Sequence, residues 1–264
     1  MKIGFYGCGN MGGALCRAVS RGMPSATLLL CDLDEAKMAE LSAETGAISV
    51  KIEELLAESD YVFLGLKPQI LPMMLKILGG EIARSHATYI SMAAGVTIGT
   101  LTELLREKPV IRIMPNTAVA VGAGMTVYTP SEGVTEKAKA DFLRMMSASG
   151  RCDEIHEPLM DAACALSGCG PAFAYLFAEA LADGAVACGL PRDRAMTYAA
   201  ATVEGAMRMI LETGKHPGAL KDAVCSPGGS TIAGVHALEQ GGLRAAAMDA
   251  VVAAFARTKE LGKS

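Results

Sequence analysis

Six residues near the N-terminus have the types and spacing of a dinucleotide-binding turn. Gly7-Cys8-Gly9-Asn10-Met11-Gly12 forms the pattern G-x-G-x-x-G between an apolar run, 2–6, and a run of helical spacing. The first glycine permits a tight turn, the second lets backbone N–H groups approach a pyrophosphate, and the third lets the helix pack closely on the strand. The helix N-terminus then favours the negative charge. A tight strand-to-helix turn without any ligand would satisfy the same pattern.

An acidic residue follows at the distance that such a turn requires. Thr27–Cys31 is predicted to be a second strand, and Asp32 ends it, where an acid can bind the ribose. A carboxylate there accepts hydrogen bonds from a free 2′-hydroxyl and repels a 2′-phosphate, which favours NADH over NADPH. Lys37 could still reach a phosphate. Asp32 could instead cap the helix predicted from Glu35, a role that Asp34 could equally fill.

A second candidate site interrupts helix-forming sequence near the other end of the chain. Ser226 and Pro227 end one predicted helix, Gly228-Gly229 give conformational freedom, and Ser230-Thr231 open the next helix. Free N–H groups at a helix start bind anions, and here they suit a substrate carboxylate. An N-capped helix turn without a ligand explains these residues at least as well.

Strand-like and helix-like runs alternate in the N-terminal half and would position the first of these sites. Predicted strands at 61–66, 88–92 and 110–114 follow predicted helices at 52–57, 71–78 and 101–105. This alternation indicates βαβ units and a parallel sheet, whose ligands bind outside the carboxyl ends of the strands. The turns expected at this edge are Leu66-Lys67-Pro68, Ala93-Ala94-Gly95 and Pro115-Asn116-Thr117. Lys67 could face a cofactor or be an ordinary solvated lysine.

Strand signals vanish from Glu157 onward, and the sequence becomes rich in Ala and Met. Helices are predicted at 172–188, 192–212, 220–224, 230–239 and 243–261. Small apolar residues lie on more than one helix face, so these helices must be closely covered. A monomeric bundle is one solution, and we favour a helical domain that packs against its twin. The sequence therefore predicts a Rossmann-type dinucleotide-binding domain, 1–155, followed by an all-helical substrate and dimerisation domain, 156–264.

The composition excludes several other classes. The 264 residues carry a net charge of -4 without a basic block, which argues against a nucleic-acid partner. The eight Cys occur singly, without a C-x-x-C pair, so no metal site is expected, and free thiols suggest a reducing compartment. MKIGFYG has neither a signal-peptide nor a transit pattern, and no stretch approaches the ~20 apolar residues of a membrane span. We therefore expect a soluble, cytoplasmic protein.

Six motifs together resemble the pyrroline-5-carboxylate reductase family over essentially the whole chain. They are FYGCGNMGGAL at 5–15, LKP at 66–68, AAGVTI at 93–98, MPNTAVAVGAGMT at 114–126, LSGCGPAFAY at 166–175 and HPGALKDAVCSPGGSTIAG at 216–234. The last motif is the most specific. Ala118 and Cys169 depart from the Pro and Ser of the family motifs, and both look like small packing changes.

The resemblance implies a fold, a reaction and roles for named residues. The family has a Rossmann domain and a helical dimerisation domain, with dimers often assembled into rings, which makes a decamer conceivable here. Hydride passes from NADH or NADPH to the imine carbon of L-1-pyrroline-5-carboxylate and gives L-proline, the last step of proline synthesis. By resemblance, Tyr6 to Met11 would cradle the pyrophosphate, and the Leu66-Lys67-Pro68 turn and Ala93 would lie along the cofactor toward the nicotinamide. The expected cofactor-binding residues are Tyr6, Gly7, Cys8, Gly9, Asn10, Met11, Gly12, Asp32, Leu66, Lys67, Pro68 and Ala93.

The same resemblance implies that the backbone of Gly229, Ser230 and Thr231 holds the substrate carboxylate, and that the Thr231 hydroxyl bonds the ring nitrogen. A cyclic imine is readily protonated and accepts hydride well, so the enzyme needs positioning more than a strong acid. We therefore assign orientation to Thr231, because an alcohol is a poor proton donor at neutral pH. Many relatives carry residues after the second strand that accept NADPH.

Two other functions were weighed. A β-hydroxyacid dehydrogenase of related architecture needs a base for the hydroxyl proton, usually a Lys early on the first interdomain helix, and 168–184 contains no Lys. A non-catalytic, dinucleotide-sensing dimer could keep the glycine pattern, but it would have no reason to keep the loop at 226–231.

Overall fold

The computed structural model describes residues 1–261, which form two compact units. One unit contains Met1–Cys169 together with the chain end from Ala254, and the other is Gly170–Ala253. The first is a sheet covered by helices, and the second is entirely helical, as the sequence predicts. The expected domain boundary between residues 155 and 156 stays a prediction.

The first unit alternates strands and helices. Its elements are β1 (Lys2–Tyr6), α1 (Asn10–Gly22), β2 (Thr27–Cys31), α2 (Glu35–Thr45), β3 (Ile48–Ser49), α3 (Ile52–Glu58), β4 (Tyr61–Leu64), α4 (Leu71–Ile77), α5 (Gly79–Arg84), β5 (Thr88–Ser91), α6 (Ile98–Leu104), β6 (Val110–Met114), β7 (Gly124–Pro130), α7 (Glu136–Met145), β8 (Gly150–Glu154) and α8 (Met160–Ala163). Single 3₁₀ turns lie at Thr117–Val121, Met146–Ala148 and Glu157–Leu159, and a π-helical turn lies at Cys164–Gly168. The remaining helices are α9 (Gly170–Ala187), α10 (Arg192–Thr213), α11 (Pro217–Ala223), α12 (Ser230–Gln240) and α13 (Leu243–Leu261).

The eight strands form one sheet in the order β3-β2-β1-β4-β5-β6-β7-β8. Its order reverses between β1 and β4, and such a switch point opens a crevice at the carboxyl ends of the strands. Phe5 of β1 lies between Leu30 of β2 and Phe63 of β4 in the register. The expected parallel sheet is confirmed from β3 to β6, and β7, where no strand was predicted, runs antiparallel to β6. Only a short 3₁₀ turn, Thr117–Val121, joins these two strands, and a parallel connection needs a longer crossover.

Both faces of the central strands β1, β4, β5 and β6 are buried, which explains why these strands are continuous apolar runs. On one face Phe5 stacks on Phe63 with ring centroids 4.7 Å apart, beneath Leu15 of α1 and Phe142 of α7. The other face packs Leu64 and its neighbours against helices α3 to α6. The rigid sheet fixes the loops at its carboxyl edge.

The helical unit has very little core of its own within residues 170–253. Its buried apolar residues are Ala182, Ala195 and Ala199, where α9 and α10 pack together. Large apolar side chains such as Leu176 and Met248, each 69% exposed, have no cover from the chain itself. The simple monomeric bundle weighed above would bury such side chains, so this unit needs a partner surface.

Candidate active site

The glycine turn between β1 and α1 is closed by backbone contacts on one side and open on the other. Gly7 has φ 100°, and a Cβ there would lie 2.7 Å from the carbonyl group of Gly65. A Cβ on Gly12 would collide with the Gly7 carbonyl oxygen, so neither position admits a side chain. A Cβ on Gly9 would meet no atom within 4 Å. The open side at Gly9 is the place where a pyrophosphate can approach the backbone.

Gly65, which directly follows β4, is a residue that sequence reasoning missed. A Cβ there would collide with the Gly7 carbonyl oxygen, and its own N–H donates to the Tyr6 oxygen over 2.8 Å. The contact joins two loops that are 58 residues apart, and no local pattern contains it. The signal in the sequence is limited to a glycine within the predicted strand 61–66.

The start of α1 leaves backbone donors available. Gly9 is the N-cap, and within residues 1–261 no side chain caps the helix. The Gly13 N–H makes a helical bond to the Gly9 oxygen over 2.7 Å. The N–H groups of Asn10, Met11 and Gly12 precede that bond, as the first donors of any helix do. Together with the helix dipole they favour an anion at this end.

Asp32 bonds the glycine turn with one carboxylate oxygen and the start of α2 with the other. Oδ2 accepts from the Cys8 N–H over 2.5 Å, and Oδ1 accepts from the Asp34 N–H over 2.9 Å. Asp34 caps α2 by accepting from the Lys37 N–H over 3.1 Å. The alternative of Asp32 as the helix cap is therefore wrong. Its remaining lone pairs are available to a ribose hydroxyl, because a carboxylate offers about four acceptor positions.

Cations beside this turn are already paired with acids. A small cavity of about 120 Å³ is lined by Cys8, Gly9, Asn10, Arg17, Lys37, Glu40 and Leu41. Arg17 pairs with Glu40 over 2.9 Å and with Glu44. Lys37 pairs with Asp34 over 3.0 Å, and the hydrogen bond to that carboxylate raises the pKa of Lys37. A phosphate bound here would have to compete with these carboxylates.

The thiol of Cys8 in the glycine turn is unreactive at neutral pH. Burial, and then the charge of Asp32, raise the pKa of Cys8 to about 12. The Cys8 thiol is therefore protonated at neutral pH, and because only a thiolate is a good nucleophile, it is unreactive. Cys8 contributes through its packing and its backbone N–H group. Tyr6 is also buried, and its pKa is raised, mainly by desolvation.

The other expected cofactor residues lie at the carboxyl edge, as predicted from the strand ends. Lys67 is exposed, and its carbonyl oxygen accepts from Ile70 and Leu71, so Lys67 begins the turn into α4. Leu66 and Pro68 are partly buried beside it, and Ala93 is 1% exposed just after β5. The ammonium group of Lys67 is thus free to meet a ligand from the solvent side.

The loop before α12 is a tight turn that leads into a helix for which the described residues supply no side-chain cap. Gly228 has φ 66°, and the Gly229 N–H donates to the Ser226 oxygen over 3.0 Å, which closes a tight turn. A Cβ on Gly229 would collide with Ser226 Oγ. No side chain in the described part of the chain caps α12, and its first helical bond runs from Ala233 to Gly229. The interpretation as an N-capped turn therefore lacks its cap.

Three donors at this helix start are consequently free of intrahelical bonds. They are the N–H groups of Ser230, Thr231 and Ile232. Ser230 and Thr231 are also exposed, so both backbone and hydroxyl groups can reach a ligand. All the predicted cofactor residues lie in the first unit, and the predicted substrate residues lie in the second. His216 caps α11 through Nδ1, which accepts from Gly218 over 3.0 Å.

Comparison with known proteins matches each half of the chain to a family model. A family model described as pyrroline-5-carboxylate reductase dimerisation matches residues 157–261, and one described as NADP oxidoreductase coenzyme F420-dependent matches residues 2–95. The first match accounts for the apolar surface that the helical unit leaves exposed. The helical run Glu157–Ala187 is long and apolar enough to cross a membrane, by length and composition only. Its place in a dimerisation domain explains that character without a membrane.

Relatives and solved structures agree over the full length. The pyrroline-5-carboxylate reductase of Methanosarcina acetivorans is 43% identical over 99% of this chain and 98% of its own, and that of Escherichia coli strain K12 is 40% identical over 100% and 99%. The Plasmodium falciparum pyrroline carboxylate reductase, solved with NADP bound, is 31% identical, with a TM-score of 0.87, over 99% of this chain and 98% of that one. Because identity at this level spans both the dinucleotide unit and the helical unit, the chain belongs to the pyrroline-5-carboxylate reductase family.

Proposed function

We propose that this chain reduces L-1-pyrroline-5-carboxylate to L-proline with NADH or NADPH, the last step of proline biosynthesis. The observation that carries the proposal is the uncapped start of α12, whose free N–H groups at Ser230 and Thr231 suit a small carboxylate. Relatives named for this activity, 40–43% identical over the full length, support it.

The residues of the glycine turn fit a dinucleotide. The open side at Gly9 and the free N–H groups of Asn10 and Met11 would hold the pyrophosphate. Asp32 would accept from the ribose, and Leu66, Lys67, Pro68 and Ala93 would line the path toward the nicotinamide. The nicotinamide, when bound, supplies the hydride.

Thr231 is proposed to orient the substrate. The free backbone N–H groups of Ser230 and Thr231 would hold the carboxylate, and the Thr231 hydroxyl would bond the ring nitrogen. The Gly229 N–H, which the family resemblance also implies as a donor, is already bonded to the Ser226 oxygen. An alcohol is a poor proton donor at neutral pH. The imine proton would therefore arrive with the substrate or through water. Positioning of this kind can lower a barrier by several kcal/mol without any acid or base in the protein.

A preference for NADH follows from the acids around the ribose end. The carboxylates of Asp32 and Asp34 would repel a 2′-phosphate on the ribose that Asp32 is proposed to bind, and Lys37 and Arg17 are held in ion pairs. Asp34 is itself paired with Lys37, so the charge of Asp32, which has no ion pair within residues 1–261, is the main support for this preference. The structure solved with NADP is that of a relative, and it leaves this chain's preference to measurement.

Several broader properties belong to the same proposal. The helical domain would span 156–264 and the dinucleotide domain 1–155. The chain would form dimers through its helical unit, and dimers could join into a ring such as a decamer. It would act in the cytoplasm, with no nucleic-acid or membrane partner, since the net charge of -4 is spread without a basic block. Light scattering coupled to size exclusion distinguishes a dimer from a decamer.

The test is the loss of NADH or NADPH absorbance on addition of L-1-pyrroline-5-carboxylate near neutral pH. Rapid oxidation establishes the imine reductase, and the ratio of the two rates measures cofactor preference. Tight dinucleotide binding with no turnover of any cyclic imine would instead support the sensor. A β-hydroxyacid dehydrogenase would oxidise hydroxyacids with NAD⁺, and the absence of any Lys in α9 counts against it.

A further inference from the structure

We propose that the first unit contains a separate binding site for a small zwitterionic amino acid, apart from the glycine turn and from the loop before α12. A cavity of about 490 Å³ lies there, and its lining residues are Gly95, Thr97, Arg112, Glu157, Pro158, Asp161 and Lys259. All seven belong to the same compact unit. None of them is among the residues assigned above to the cofactor or the imine substrate.

Arg112 gives this cavity an incompletely satisfied cation. It lies on β6 with only 3% of its surface exposed, and its Nη1 donates to Oε1 of Glu157 over 2.8 Å. Its buried Nε has no hydrogen-bond partner within the described residues. An arginine stays charged when buried, and its planar donors match a carboxylate. Leaving such a donor unpaired costs free energy, which a bound acceptor that draws the guanidinium toward the cavity would recover.

Glu157 pairs with this cation through one carboxylate oxygen, and its other oxygen can still accept a hydrogen bond. Its Oε1 accepts both from Arg112 and from the Ile98 N–H, the latter over 2.6 Å. Both of these bonds therefore end on one oxygen, and Oε2 is left for another donor. A carboxylate in this state attracts an ammonium group.

The two remaining charges make the lining electrically mixed. Asp161 adds a second acid, and Lys259 adds a second cation at an exposed position of α13, 4.4 Å from the Phe255 ring centroid. A simple anion would meet two carboxylates, and a simple cation would meet Arg112 and Lys259. A molecule that carries an ammonium group and a carboxylate on one carbon atom satisfies both pairs. The α-amino acids have this arrangement.

Equilibrium dialysis of the full-length protein with radiolabelled L-alanine tests the proposal. L-alanine carries the two charges and little else, propionate lacks only its ammonium group, and ethylamine lacks its carboxylate. We expect saturable binding of L-alanine, at least about tenfold weaker binding of propionate and ethylamine, and a loss of about tenfold in Lys259→Met and in Asp161→Asn. Lys51→Met removes an exposed lysine elsewhere in the unit and should leave binding unchanged.

Three results would overturn the proposal. They are the absence of saturable L-alanine binding, equal binding of propionate, and wild-type affinity in both Lys259→Met and Asp161→Asn. The last result would place the amino acid elsewhere, for example at the carboxylate loop before α12. Binding is measured without turnover, so failure of the imine-reductase proposal would leave this result interpretable.

Discussion

The Cys8 N–H donates a hydrogen bond of 2.5 Å to Oδ2 of Asp32, which ties the glycine turn after β1 to the end of β2. Oδ1 of the same carboxylate accepts from Asp34. One side chain therefore holds two loops at the carboxyl edge of the sheet. The residue expected to select the cofactor by its charge also shapes the turn that is proposed to receive the pyrophosphate.

These two roles of Asp32 can be separated by Asp32→Asn. The amide oxygen can still accept from Cys8, but the negative charge is gone, so repulsion of a 2′-phosphate falls. We expect the ratio of kcat/KM with NADPH to that with NADH to rise by about tenfold, or ~1.4 kcal/mol. Glu58→Gln, an exposed carboxylate that is paired with Lys2 away from the glycine turn, serves as the matched control. An unchanged ratio in Asp32→Asn would show that this charge does not select the cofactor.

Sequence reasoning succeeded where structure depends on local pattern. The strand at 110–114 and the helix at 243–261 have the predicted bounds, and the 7–12 turn follows a strand and opens a helix as expected. It failed where neighbours decide. β8 is a largely exposed, polar edge strand, GRCDE, with no apolar alternation to announce it. β4 ends at Leu64 rather than at the predicted residue 66 because Gly65 turns against Gly7.

The candidate site divides in the same way. The free donors before α12 follow from a Gly-Gly-Ser-Thr helix start, which is a local feature. The bond between Asp32 and Cys8, and the approach of Gly65 to Gly7, join segments that are distant in the chain. Local patterns in a single sequence do not indicate which distant segments come into contact.

Because Gly65 lies so close to Gly7, we expect any side chain at position 65 to lower the stability of the fold. Gly65→Ala would place a methyl group against the Gly7 carbonyl oxygen, where backbone rather than a flexible side chain must move. We expect the free energy of unfolding to fall by roughly 1–3 kcal/mol, with weaker dinucleotide binding because the turn is displaced. Urea denaturation and NADH titration measure the two effects.

A matched control lies in α6. Gly99→Ala adds the same methyl group near the start of a helix, where the nearest atom is 4.0 Å away, so its stability should be equal to or above that of the wild type. Equal stability of the Gly65 and Gly99 variants would contradict the proposed contact.

The hydrogen bonds of Asp141 lead us to expect that the fold loses stability in acid. Its Oδ2 accepts from Lys137 over 2.6 Å and from the Tyr61 hydroxyl over 2.9 Å, and these bonds, that of Lys137 most, lower the pKa of Asp141. A lowered pKa in the folded state stabilises the fold above the unfolded value of about 3.9, and this contribution is lost as pH falls through the folded value. Asp141→Asn should cost roughly 1–3 kcal/mol near neutral pH.

The pH dependence distinguishes this effect from simple packing. The difference in unfolding free energy between wild type and Asp141→Asn should shrink as the pH falls below about 4, as measured by urea unfolding at several pH values. Asp153→Asn, at an exposed position of β8, should show little difference at any pH. A difference that stays constant into strong acid would assign the loss to packing rather than to the carboxylate.

Thr231 offers the sharpest test of the proposed site, because its backbone and its hydroxyl have different roles. Thr231→Ala keeps the N–H groups at the start of α12 but removes the hydroxyl proposed to orient the ring nitrogen. We expect kcat to fall by about tenfold or more, since one directional hydrogen bond in the reacting complex is lost. The Kd for NADH should stay at the wild-type value, because the dinucleotide residues lie in the other unit. Thr231→Ser restores a hydroxyl and should recover most of the lost turnover. If Ser and Ala variants were equally slow, or if both lost NADH binding, the loop would be a structural element and the substrate would have to be oriented by other groups.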